Sequence, residues 1–186
     1  LGVGQGCYAA LTTAKGKMQS DLNIFCLQDE LLLDFEPGLT AVVTQRLEKY
    51  IVADDVQVVD MTPHYGLLSV QGPKAEASIR AVGLFPEVPA HPLASVKISD
   101  AAVGEVYLMN HARLGTNGFD LFVPLAALAV VAEKLIAGAK SLGGRAVGWQ
   151  ASEIVRLEAG IPRFGVDMDD THIASECGIE ARAISY

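Results

Sequence analysis

The run at 155–170, VRLEAGIPRFGVDMDD, constrains the fold more than any other part of the chain, because a helical stretch is forced to stop within it. Ile154, Leu157 and Glu158 recur at helical spacing and predict one helical face. Gly160 is placed to close the helix in the left-handed conformation, and Pro162 forbids its continuation. Arg156 and Glu158 are thereby set at the end of a rigid element. The acidic loop that follows holds Asp167, Asp169 and Asp170, whose spacing is not that of a calcium loop, so solvation explains them.

Elsewhere short apolar runs alternate with turn residues. Strands are predicted at 7–12, 18–27 and 31–35, with turns at Lys15-Gly16-Lys17 and Gln28-Asp29. Leu39, Val42, Val43 and Leu47 predict a helix over 39–50. Strands at 56–59 and 67–70 follow, then a helix to about 82 with Pro73 in its first turn. Pro86, Pro89 and Pro92 make a stiff connector, the one internal boundary the composition suggests. Beyond it come a strand at 105–114 and a hairpin turn of the I′ type at Asn117-Gly118, leading into a strand at 119–123. Pro124 opens a helix that Gly143-Gly144 ends, and 150–159 is the helix described above. A strand-like run reaches Tyr186.

The halves 1–84 and 93–186 echo each other, with Val42, Val43 and Leu47 recurring at one offset as Val130, Val131 and Leu135. Internal duplication and the general likeness of amphipathic helices both explain this. Duplication implies two related α+β subdomains, each with an antiparallel sheet and flanking helices, meeting at a shared cleft where a ligand fits.

A chain of 186 residues, 51% hydrophobic, is long enough to bury a core without staples. The net charge of −8 repels phosphate backbones, which argues against a nucleic-acid partner. No apolar run approaches the ~20 residues that cross a bilayer, and no basic segment precedes an apolar one at the start, so the cytoplasm is the default. The three cysteines include no CxxC pair and the four histidines no metal-ligand spacing, so no metal is assigned.

Three charged positions stand out. Asp21 lies mid-strand on one face with Gln19, Asn23 and Phe25, which by periodicity alone is a solvent-facing polar side. Asp120 alternates with Phe119 and Leu121 directly after the Asn117-Gly118 turn. Arg156 lies on the last helix, with Glu153 or Glu158 as an ordinary partner. Phe164, beyond that helix, suits either core packing or the cover of a planar ring.

The opening run closely resembles R-L-E-A-G-x-x-x-[YF]-G-x-D-x-D, a signature of the glycine-cleavage T-protein (aminomethyltransferase) superfamily, which includes the YgfZ-like folate-binding proteins. The stretch from Gly16 to Leu22 is similar to the family's G-G-[IV]-x-D-D-L, with Asp21 on the second, catalytic aspartate and Ser20 in place of the first. The stretch from Arg113 to Asp120 is similar to Y-T-G-E-D-G-Y-E, with Gly115, Gly118 and Phe119 in register.

The resemblance covers nearly the whole chain and implies a GcvT-like folate-binding domain, incomplete at both ends. Beyond Tyr186 a C-terminal barrel is then expected, and a K-G-C-Y-x-G-Q-E segment there would mark the YgfZ-like branch. Tetrahydrofolate, or a one-carbon-substituted folate, is the implied cofactor. Asp21 becomes an electrostatic stabiliser of the cation that develops in one-carbon transfer. Asp120 becomes the pterin anchor through both oxygens. Arg113, Phe119, Arg156 and Phe164 become folate-site residues.

Two readings follow. The A-K-G-K-M-x-S wording around Met18, with Arg113 and Thr116 replacing the family's tyrosine and glutamate, favours a YgfZ-like protein that binds folate in support of iron-sulfur cluster maintenance. The alternative is an aminomethyltransferase working with a lipoyl carrier protein.

Overall fold

The structure, a computed structural model, describes residues 1–184; the run ending at Tyr186 lies outside the described residues. The chain forms two compact units, each assembled from interleaved segments. The first comprises Leu1–Gly6, Phe25–Glu30 and Thr62–Ile161; the second comprises Cys7–Ile24, Leu31–Met61 and the chain from Pro162 onward. The proline connector therefore lies inside the first unit, and the halves 1–84 and 93–186 are not the compact bodies. Strand pairing between distant segments decides the grouping, and local stiffness does not.

Strands β1 (Gly6–Thr12), β2 (Met18–Cys26) and β3 (Leu31–Phe35) form a three-stranded sheet with β2 in the centre. Helix α1 (Thr40–Glu48) follows. The predicted strand at 56–59 is absent: Val56 and Val59 are exposed and the segment is irregular.

In the first unit, β4 (Tyr65–Gln71), β5 (Ser95–Asp100), β6 (Gly104–Asn110) and β7 (Gly118–Pro124) make an antiparallel sheet ordered β4-β7-β6-β5. Period-two alternation sends Val106, Leu108, Phe119, Leu121 and Val123 to one face. There they meet Ile79 of α2 (Ala75–Val82) and Val131 and Leu135 of α3 (Leu128–Ser141). Val43 of α1 is buried like its counterpart Val131, while Val42 and Val130 are both exposed.

Some local expectations shift. Pro73 precedes α2 instead of lying in its first turn. Strand β5 is an addition. Strand β6 stops at Asn110, and a seven-residue connection replaces the two-residue hairpin, with the positive φ of 72° at Gly115 and none at Asn117 or Gly118. Glycine at 118 answers a different need: a Cβ there would sit 1.9 Å from Gln71 Oε1, its cross-strand neighbour.

The second unit gathers Met18, Phe164, Met168, Ala174 and Ile179 into its own core, with Tyr8, Ala10 and Leu39 packed against it. Helix α4 (Trp149–Glu158) belongs to the first unit and ends at Gly160, φ 66°, as its sequence predicts. The short helix α5 (Glu180–Ala183) belongs to the second unit. Among the described residues no helix is long and apolar enough to cross a membrane.

Candidate functional site

The sheet face of the first unit turned away from α2 and α3 carries a polar cluster centred on Asp120. Alternation along β7 puts Asp120 opposite to Phe119 and Leu121, across from Ser69 of β4 and Met109 of β6. Only 1% of Asp120 is exposed. Its Oδ1 accepts the Ser69 hydroxyl at 2.7 Å, and its Oδ2 accepts His111 Nδ1 at 2.7 Å and Arg113 Nε at 2.6 Å. Gln71 extends the network, donating from Nε2 to Ser69 Oγ at 2.9 Å and to the His111 carbonyl at 3.0 Å. Burial pushes the Asp120 carboxyl up, but the Arg113 charge and the His111 and Ser69 hydrogen bonds outweigh it and hold the group below its ordinary value. Asp120 is a buried carboxylate that stays ionised.

The second unit holds the other aspartate. Strand β2 is central, and the face it shares with Asp21 is not a solvated side, since Asn23 and Phe25 on that face are buried. Tyr8 of β1 donates its hydroxyl to Asp21 Oδ2 at 2.8 Å, and the Arg182 guanidinium of α5 lies 4.3 Å from the centre of the Tyr8 ring. Asn23 donates to Asp34 of β3 at 3.2 Å. Burial raises the Asp21 carboxyl, the Tyr8 bond and the Arg182 charge pull it back in part, and the Asp34 charge adds to the rise. Tyr8 is pushed upward as well, by burial and by the Asp21 charge, so it remains a donor at neutral pH.

The remaining predicted residues, Phe119, Phe164 and Arg156, are all buried. Phe119 is 4% exposed in the helix-covered core of the first unit, on the opposite sheet face from Asp120, so stacking beside that carboxylate is excluded by alternation. Phe164 packs in the core of the second unit. Arg156 is buried, pairs through Nε and Nη2 with both oxygens of Glu153 at 3.0 and 2.8 Å, and donates from Nη1 to the Ile161 carbonyl at 2.9 Å. Arg113, not Arg156, holds Asp120. Helix α4 thus inverts its expected face, hiding the arginine while Ile154 and Leu157 are each 57% exposed. In the acidic loop, Asp169 accepts Thr171 and His172, which with its exposure leaves its carboxyl at about 2.

Sequence reasoning missed Ser69, His111, Tyr8, Asn23, Asp34 and Arg182. Alternation along β4 already puts Ser69 and Gln71 on the face away from the core, and His111 stands two residues from Arg113; these were available signals. Nothing local ties Tyr8 to Asp21 or brings Arg182 to the Tyr8 ring, because those approaches arise from sheet pairing and the C-terminal turn. Chemically, the first cluster offers a fixed anion with an imidazole, and the second a half-buried carboxylate with a phenol donor.

Comparison with known proteins gives the family. The model of the GCVT N-terminal domain matches residues 1–184. An aminomethyltransferase of Cupriavidus taiwanensis is 37% identical over 109 residues, covering 58% of this chain and 28% of that protein. One from Saccharopolyspora erythraea is 28% identical over 172 residues, covering 89% of this chain and 45% of that protein. The crystal structure of glycine cleavage system aminomethyltransferase T from Bartonella henselae superposes with a TM-score of 0.76 at 24% identity, covering 91% of this chain and 45% of that one. At that identity the superposition speaks to the fold, which is mixed α and β with antiparallel sheets. The chain spans less than half the length of these relatives. They carry the aminomethyltransferase name, and the leaning towards a YgfZ-like role finds no support among them. With the family model matching all but its last two residues, the chain belongs to the GCVT N-terminal domain family, the glycine-cleavage T-protein superfamily.

Proposed function

We propose that this chain is the folate-handling part of a cytoplasmic aminomethyltransferase-like protein that moves a one-carbon or aminomethyl unit to tetrahydrofolate, with a lipoyl carrier protein as donor. The observation that carries the reading is the environment of Asp21. This carboxylate stands where the family motif has its catalytic aspartate, half-buried in a central strand and held by the Tyr8 hydroxyl at 2.8 Å. Tetrahydrofolate supplies the accepting nitrogens. Asp21 contributes a fixed negative charge beside the cation that develops during transfer, and partial burial strengthens that interaction relative to water. Tyr8 holds the carboxylate in one orientation without taking its charge. The cluster of Asp120, Arg113, His111 and Ser69 supplies a rigid polar surface for the heterocycle, which fits a flat ligand rich in N–H donors and ring acceptors.

The test is turnover with a lipoyl donor and tetrahydrofolate in the full-length protein. Asp21→Asn is expected to lower it about 10²- to 10³-fold, the usual loss on removing one transition-state stabiliser. Parent-like turnover in that variant overturns the assignment. The second reading, folate binding in support of iron-sulfur cluster maintenance, is favoured by the A-K-G-K-M-x-S wording around Met18 and by the replacement of the motif's tyrosine and glutamate by Arg113 and Thr116. It predicts tight folate binding by calorimetry with no turnover on any lipoyl donor.

A further inference from the structure

His111 has a nitrogen that the proposed function does not yet use, and lone-pair counting on Asp120 shows what it is for. A carboxylate offers about four acceptor positions, two on each oxygen. On Asp120, Oδ2 already accepts both Arg113 and His111, and Oδ1 accepts Ser69. A two-pronged grip on an amidine-like edge needs a vacant position on each oxygen, and Oδ2 has none. The carboxylate is also the wrong group to reach out, being only 1% exposed where the His111 side chain is 17% exposed.

The imidazole is set up by the same contact. An ionised carboxylate can only accept, so the 2.7 Å approach requires the proton on His111 Nδ1. On a neutral ring Nε2 is then the acceptor, and no described residue donates to it. The geometry is that of a histidine whose tautomer is fixed by a carboxylate behind it.

We propose that His111 Nε2, and not the Asp120 carboxylate, accepts the ring N–H of the bound heterocycle, with Asp120 as the positioning residue that fixes the tautomer and angle of the imidazole. This rests on the folate reading above. The substitution of a short aspartate for the family's glutamate then has a physical sense: the carboxylate is set one methylene further back, and the histidine fills the interval.

The experiment uses the full-length protein with ¹⁵N-labelled histidine and 5-formyltetrahydrofolate, at about pH 8, where an ordinary imidazole is neutral. The free protein is expected to show His111 as the Nδ1–H tautomer, and the ligand is expected to shift its Nε2 resonance in the direction of an accepted hydrogen bond. Asp120→Asn is expected to bring in the Nε2–H tautomer, which a purely structural role for Asp120 does not predict. In calorimetry His111→Asn, which keeps a donor near Nδ1 but lacks Nε2, is expected to weaken binding about tenfold. His111→Gln, which restores an acceptor further out, is expected to recover most of it. Binding without movement of Nε2, or parent-like affinity of His111→Asn, overturns this proposal alone. Failure of the parent to bind any reduced folate overturns the folate reading with it.

Discussion

Asp120 and Asp21 each lie mid-strand in their own sheet, yet the fold drives their carboxyls in opposite directions. Burial is the largest influence on both, and it pushes both up. At Asp120 the guanidinium of Arg113, the imidazole of His111 and the Ser69 hydroxyl more than offset it. At Asp21 a single phenol and the more distant Arg182 do not, and Asp34 adds a like charge. Two aspartates of similar sequence setting thus become a firmly ionised fixture and a carboxylate whose charge is less well supported. What separates them is the number and charge of their donors, and only folding assembles those.

The largest expected effect tests the fixture. Asp120→Asn removes the charge that three donors share, and is expected to cost about 3 kcal/mol at neutral pH in denaturant unfolding. The sign of the pH dependence follows from the lowered folded value. Stability contributed by Asp120 is present above its unfolded value of ~3.9 and is lost as pH falls through the folded one. Parent and variant should therefore converge in acid; a penalty of equal size at neutral and acid pH would show that Asp120 is held by shape alone. Next in size, Gly118→Ala drives a methyl into the Gln71 amide, and displacing that amide breaks its links to Ser69 and His111. A loss of about 1–3 kcal/mol is expected, read by thermal unfolding.

These two positions also mark where sequence was informative. Alternation along 119–123 correctly turned Asp120 away from Phe119, and the Gly160-Pro162 stop correctly ended α4. The motif reading placed the chain in its family. What failed was whatever depended on long-range pairing. Glycine at 118 reads as a turn residue, but Gln71 in the paired strand is what demands it. Arg156, by contrast, takes the local partner its sequence offers, Glu153, and adds the nearby Ile161 carbonyl. The interleaved units could not be read at all, because the proline connector is a local signal and the units are defined by strand partners far apart in sequence.

Asp21 is expected to respond with the opposite sign. Its folded value is raised, so the stability linked to Asp21 is full below ~3.9 and is lost as pH rises through the folded value. At neutral pH the ionised group is a net cost. Asp21→Asn should accordingly gain about 1 kcal/mol at neutral pH and nothing in acid, while turnover falls, the pattern of a site that trades stability for function. A loss of stability at neutral pH would place Asp21 with Asp120 as a second fixture and erase the contrast.

The smallest effect separates the influences on Asp21 itself. The Tyr8 hydroxyl is the principal one opposing burial, so Tyr8→Phe should push the Asp21 carboxyl further up. The ring remains to pack beneath Arg182, which keeps the fold and isolates the hydroxyl. Titration of the ¹³C-labelled carboxyl reads the shift directly. The raised value narrows the pH range in which the group is charged, so turnover in Tyr8→Phe should fall most on the acid side of its profile and recover towards higher pH. A carboxyl that stays where it was, with turnover lowered evenly at every pH, would mean that the phenol orients Asp21 without stabilising its charge. The asymmetry between the two aspartates would then lie wholly in burial and in the Arg113 cation.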